Sequence, residues 1–160
     1  MTEQRLTHLD EHGHVYMVNV GEKPDNERYA LAKGEVILNQ ETVNIIKQGL
    51  LKKGDVLTIA QIAGIMGAKK TAELIPLCHQ VPLNHIEVSL KIDELLPGIQ
   101  IQASTKTVAK TGVEMEALTA VSLAALTVYD MVKAVEKTGK INNIRLVEKY
   151  GGIHGDIVNE

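Results

Sequence analysis

The chain has 160 residues, 44% of them hydrophobic and 23% charged, with a formal net charge of −3. That is one ordinary domain, long enough to bury a core without cross-links. Four Tyr and no Phe or Trp force an aliphatic core, and with the negative charge they exclude a general nucleic-acid binder, which needs basic patches and stacking platforms.

The lone Cys78 excludes an internal disulfide framework. Residues 1–14 are polar and do not resemble a signal peptide. The longest charge-free apolar run, Ala117–Tyr129, is shorter than the ~20 residues that cross a bilayer. A cytoplasmic protein is the expectation, with a mobile segment over 1–14 and a single domain over 15–158.

Met1–His12 shows no usable periodicity. Val15–Val20 reads as a short strand. Arg28–Leu38 reads as a second, because Ala30, Ala32, Val36 and Leu38 alternate onto one face around Gly34. Asn39 caps a helix running to about Leu51, with Val43, Ile46 and Leu50 on one stripe. Asp55 caps the next, which runs to about Leu74, where Pro76 ends it.

Ile86, Val88, Leu90 and Ile92 alternate, Leu96-Pro97-Gly98 turns, and Ile99, Ile101 and Ala103 begin a return, so 85–108 is predicted to be an antiparallel hairpin. Thr111-Gly112-Val113-Glu114 fits a capping box for a long helix to about Val135. Ile141–Lys149 supplies a last strand. The order β-β-α-α-β-β-α-β implies an α+β domain, an antiparallel sheet with helices packed on one face. The long helix is apolar nearly all round, which calls for burial on a second side and predicts a homo-oligomer.

Four groups of polar residues stand out. Leu77-Cys78-His79 follows Pro76; adjacent residues of an extended segment point apart, so a Cys78–His79 nucleophile–base pair is not expected; a small buried Cys beside a partly exposed His is, with His79 a candidate for binding an anion or a base edge. Glu114-Met115-Glu116 opens the long helix, where acids suit the macrodipole, yet Glu116 adjoins a wholly apolar run. Asp130 and Lys133 share a helix face at i,i+3, forming either a surface ion pair or, beside a ligand, a proton-handling couple. Arg28, Lys53, Lys69, Lys70 and Lys149 form a polyphosphate site if they cluster, which spacing cannot decide. His8, His12 and His14 lack the context of a metal site, and no metal or cofactor is expected.

Lys110-Thr-Gly-Val-Glu-Met-Glu-Ala-Leu-Thr-Ala through Val-Tyr-Asp-Met-Val-Lys-Ala-Val135 resembles the signature of the molybdenum-cofactor biosynthesis protein C family. So do Lys53-Gly-Asp-Val through Ala-Gly-Ile65, Ala68-Lys-Lys-Thr and Leu74-Ile-Pro-Leu-Cys-His79. The likeness spans roughly 7–157, far beyond a short motif. It implies a ferredoxin-like α+β fold, a hexamer built as a trimer of dimers with the site at the dimer interface, and a cytoplasmic lyase. The implied reaction converts 3′,8-cyclo-7,8-dihydro-GTP to cyclic pyranopterin monophosphate and pyrophosphate.

By position, the resemblance makes Asp130 the catalytic acid/base, with Lys133 and Lys53 in the catalytic group. Leu77, Cys78, His79, Met115 and Glu116 are implied to contact substrate, and Lys69, Lys149 and Arg28 to be basic residues of the site. The chain departs from the family after Lys149: Tyr150 replaces a common Ser, and Gly151-Gly152-Ile153-His154-Gly155 replaces a Gly-Gly-Lys-Ser-Gly tail. Two other readings of the residues are a non-enzymatic sensor of a phosphorylated nucleotide and a Cys78-dependent hydrolase.

Glu116 and Asp130 lie fourteen residues apart on one helix, about 21 Å at 1.5 Å per residue. One chain cannot bring both to one nucleotide-sized ligand, so a site shared between neighbouring subunits is expected.

Overall fold

A computed structural model describes residues 8–152 and 155–159. The elements are β1 (Asn26–Ile37), α1 (Gln40–Lys47), α2 (Val56–Lys69), α3 (Thr71–Leu74), β2 (His85–Asp93), β3 (Gly98–Ala109), α4 (Glu114–Val132), β4 (Lys140–Tyr150) and β5 (Ile157–Val158). The strands form one sheet in the order β2-β3-β1-β4-β5, every pairing antiparallel. The α+β architecture read from the sequence is the one observed.

Strand alternation dictates the layers. Ala30, Ala32 and Val36 of β1, and Ile99, Ile101 and Ala103 of β3, turn one face inward and are at most 2% exposed. Ala117, Ala120, Val121, Ala124 and Val128 of α4 meet that face. Each fully buried Val or Ile contributes about 1.5–3 kcal/mol of transfer free energy. α4 is long and apolar enough to cross a membrane by length and composition, but here it is the core helix.

The predicted second apolar side of α4 is covered in large part by α2, a partner the sequence did not reveal. A Cβ on Gly64 would stand 3.0 Å from the Ala120 carbonyl oxygen, and one on Gly67 3.0 Å from the Leu123 side chain. Glycine at both positions lets the helices close together. They run antiparallel, so the start of α2 lies beside the end of α4. What remains exposed is a narrower apolar strip: Ile59, Ile62 and Met66 on α2, Met115 and Leu126 on α4.

Both predicted caps of the first helices form: Asn39 Oδ1 accepts the Thr42 amide, and Asp55 Oδ1 accepts those of Leu57 and Thr58. The Glu136 carboxylate, buried at the end of α4, accepts the Asn39 amide and the Thr138 hydroxyl, tying the start of α1 to the core.

Several expectations are corrected. Val15–Val20 is not a strand; only Val15 makes a bridge, with Leu9. The second helix breaks at Lys70, leaving α3 separate. α4 ends at Val132, before Val135. The capping box does not form: the N-cap is Val113, with no side-chain bond. Beyond the predicted end of the last strand at Lys149, Ile157–Val158 forms β5 against β4. The mobility expected of 1–14 falls partly on residues 1–7, outside the described residues; within 8–14, Asp10 caps a turn through the His12 and His14 amides.

Candidate active site

The antiparallel α2–α4 pair sorts the candidate residues to two ends. At the C-terminal end of α4, the Asp130 carboxylate lies between two ammonium groups, Lys133 Nζ at 2.6 Å and Lys53 Nζ at 3.0 Å. Lys53 also donates to the Asp130 carbonyl at 2.8 Å. Lys133 is the i,i+3 neighbour the helix dictates; Lys53 arrives from the loop before α2. These side chains are roughly half exposed. The Lys133 and then the Lys53 hydrogen bonds hold the Asp130 carboxyl below its ordinary range, and Asp130 in turn raises Lys133. At neutral pH the trio is a carboxylate and two ammoniums: a proton acceptor flanked by charge that stabilises developing anions.

At the N-terminal end of α4 a cleft of about 350 Å³ is lined by Leu77, Cys78, His79, Met115 and Glu116, together with Glu114. Pro76 and the short α3 deliver Leu77–His79 there. Val18 and Val20 of the N-terminal segment also line it. His79 Nε2 lies 2.7 Å from the Val18 carbonyl oxygen; a carbonyl only accepts, so Nε2 is the donor. Burial, then the charges of Glu116 and Glu114, push the Cys78 thiol up. A raised thiol carries less of the nucleophilic thiolate, which weighs against a Cys78-dependent hydrolase.

A second cleft, of about 160 Å³, shares Thr111, Gly112 and Glu114 with the first and adds Arg28, Lys110 and Lys149. Lys149 donates to Glu114 at 2.5 Å. That long-range pair is what draws Glu114 away from the predicted capping box. Arg28 is buried and donates to the carbonyls of Ala109, Lys110 and Gly151. It therefore fixes the cleft wall as well as supplying charge. Gly151 sits at φ +85° with the Glu27 carbonyl oxygen where a Cβ would be, so only glycine fits beside Arg28. Lys69 closes α2 as an exposed residue at this same end.

The structure thus unites Leu77, Cys78, His79, Met115, Glu116, Arg28 and Lys149 in two joined clefts. It puts Asp130, Lys133 and Lys53 at the far end of α4. Sequence reasoning gave no ligand role to Lys23 or Lys110, which also line the cationic cleft; a lysine directly before the Thr-Gly entry to a helix was the available signal for Lys110. Among the described residues no three His, Cys, Asp or Glu side chains converge as metal ligands.

The sequence profile of the MoaC family matches residues 17–152, a span holding every one of these site residues. The chain belongs to the MoaC family. It is 55% identical over 150 residues to the cyclic pyranopterin monophosphate synthase of Thermomicrobium roseum, covering 94% of this chain and 90% of that protein. It is 55% identical to the protein of the same name from Cereibacter sphaeroides strain KD131, covering 94% of each. The synthase of Roseiflexus sp. strain RS-1 is 54% identical over 155 residues, 97% of this chain and 98% of that one.

Glu116 carries a testable consequence of its position. It is 4% exposed, and burial raises its carboxyl above the ordinary range, with Glu114 adding to the effect. A carboxyl whose folded pKa exceeds its unfolded one binds more protons when folded, so stability falls as pH rises through the unfolded and then the folded value. Glu116→Gln removes that loss. Thermal unfolding should show the variant more stable than wild type at pH 7, by about 2–4 °C per kcal/mol relieved, and the gain should vanish below the unfolded carboxyl pKa. A variant less stable at pH 7 would show that the anion is held favourably.

Proposed function

We propose that the protein is a lyase of the phosphorus–oxygen type that converts 3′,8-cyclo-7,8-dihydro-GTP to cyclic pyranopterin monophosphate, releasing pyrophosphate, in molybdenum-cofactor biosynthesis in the cytoplasm. The observation that carries this reading is the Asp130 carboxylate between Lys53 and Lys133, on a chain that shares more than half its residues with proteins named for that product.

The chemistry follows from the groups available. The cyclic phosphate forms when a sugar-derived hydroxyl oxygen attacks the α-phosphorus. One P–O bond forms, the P–O bond to pyrophosphate breaks, and the hydroxyl proton needs an acceptor. Asp130, held as the anion, is that acceptor, while Lys133 and Lys53 oppose charge on the phosphoryl oxygens. Lys149, Lys69 and Arg28 neutralise the triphosphate. Glu116 and the backbone around Cys78 and Met115 take the edge of the purine-derived ring, with His79 beside them.

Asp130 and Glu116 are about 21 Å apart along α4, too far for one small ligand. The reading therefore needs a composite site, with the Asp130 end from one protomer and the Glu116 end from its neighbour. The exposed strip of Ile59, Ile62, Met66, Met115 and Leu126 runs between those ends. A two-fold pairing of two such strips with the α4 helices antiparallel brings opposite ends together. A homohexamer, as a trimer of these dimers, completes the proposal.

The test is incubation with the cyclised nucleotide while pyrophosphate and cyclic phosphate are followed together. Equimolar release of both is expected. A protein that binds the nucleotide without turnover is a sensor instead.

A further inference from the structure

The cationic cleft is lined by Lys23, Arg28, Lys110 and Lys149 against the single carboxylate of Glu114. These cations are committed very differently. Arg28 spends its donors on three backbone carbonyls. Lys149 is neutralised by Glu114 at 2.5 Å. Lys110 donates from its Nζ to a neutral acceptor, the Gly21 carbonyl, at 2.5 Å.

Gly21 belongs to an exposed turn, in which its amide bonds Asn19 Oδ1 and the Lys23 amide bonds the Val20 carbonyl. The same segment is tied to the other cleft by His79 through Val18. Thus two side chains of the joined clefts hold one stretch of N-terminal backbone across them.

Lys110 itself stands on firm ground. It follows the last residue of β3, its carbonyl accepts from Arg28, and three residues separate it from the first residue of α4. No side chain of the N-cap residue caps that helix, and the N-terminus of a helix favours negative charge nearby.

We propose that Lys110 is a further substrate-binding residue, which exchanges the Gly21 carbonyl for a phosphoryl oxygen when a phosphorylated nucleotide enters. The exchange is favourable because a hydrogen bond from an ammonium to an anionic oxygen is about twice as strong as one to a neutral acceptor. It also releases one of the two ties on the N-terminal segment, so binding loosens backbone that lies over the clefts. The inference deepens the proposed function, since it assigns Lys110 to the phosphates of the same substrate.

Full-length wild type, Lys110→Ala, Lys110→Gln and Lys110→Arg are compared by calorimetric titration with inorganic pyrophosphate at low and high salt, and by KM and kcat with the cyclised nucleotide. Gln keeps an N–H for Gly21 but has no charge, which separates phosphate contact from tethering. Pyrophosphate affinity is expected to fall roughly tenfold, equivalent to about 1.4 kcal/mol, in both Ala and Gln, with a shallower salt dependence. KM should rise with kcat kept, and Arg should restore most of both.

If Gln binds as wild type while Ala does not, Lys110 is only a tether; if both match wild type, it has no part in binding. Either result overturns the inference. Failure of the wild type to release pyrophosphate from the cyclised nucleotide would defeat the proposed reaction instead, and the pyrophosphate titration would still report on Lys110.

Discussion

Asp130→Asn should lower kcat by roughly 10²–10⁴-fold, the usual worth of a positioned acid–base group, and leave nucleotide affinity within a few-fold. The substitution is nearly isosteric. Its amide oxygen can still accept from Lys133 or Lys53, so the end of α4 keeps its shape. What disappears is the negative charge and the basic oxygen. Since the two lysines hold Asp130 below the ordinary carboxylate range, wild type carries the anion throughout the neutral range. An acid limb in kcat/KM between pH 5 and 7 therefore belongs to another group. Rapid-quench turnover with the cyclised nucleotide, set beside equilibrium binding, measures the split. A variant that binds normally and turns over within about fivefold of wild type would remove Asp130 from the chemistry and return the sensor reading.

The hairpin of β2 and β3 was legible because its information is local. Ile86, Val88, Leu90 and Ile92 alternate, and Pro97-Gly98 turns the chain; the observed pairing of Ile86 with Thr105 and Ile92 with Ile99 follows. Asn39 and Asp55 were equally readable, as side chains bonding amides two or three residues on. The failures have one physical origin. Val15–Val20 has strand composition, but beyond the Val15 bridge to Leu9 it joins no ladder. Thr111–Glu114 has a capping pattern, yet Glu114 bonds Lys149, 35 residues away, and a long-range charge outbids a local cap.

The same distinction divides the site. Asp130 and Lys133 are an i,i+3 pair that helical periodicity alone puts together. Lys53 meets Asp130 across 77 residues; the residues alone marked it as one of several scattered cations, and only family resemblance put it in the catalytic group. Lys110 had only its place before the Thr-Gly entry to a helix to mark it, and no implied role; its significance depends on β3, the Arg28 network and the Gly21 turn meeting in space. The narrowing of the exposed apolar strip was also invisible, because Gly64 and Gly67 look like poor helix residues until α4 is seen resting on them.

The central claim is that one site draws Asp130 from one protomer and Glu116 from another. Inactive Asp130→Ala and Glu116→Ala chains, separately tagged, are dissociated, mixed in equal amounts and reassembled, and tandem purification confirms mixed assemblies. With random two-fold pairing, half the dimers are mixed, and each of these has one site lacking both substitutions. Pyrophosphate release should then recover to about a quarter of wild type. Mixed assemblies that form and stay as inactive as their parents would contradict the shared site.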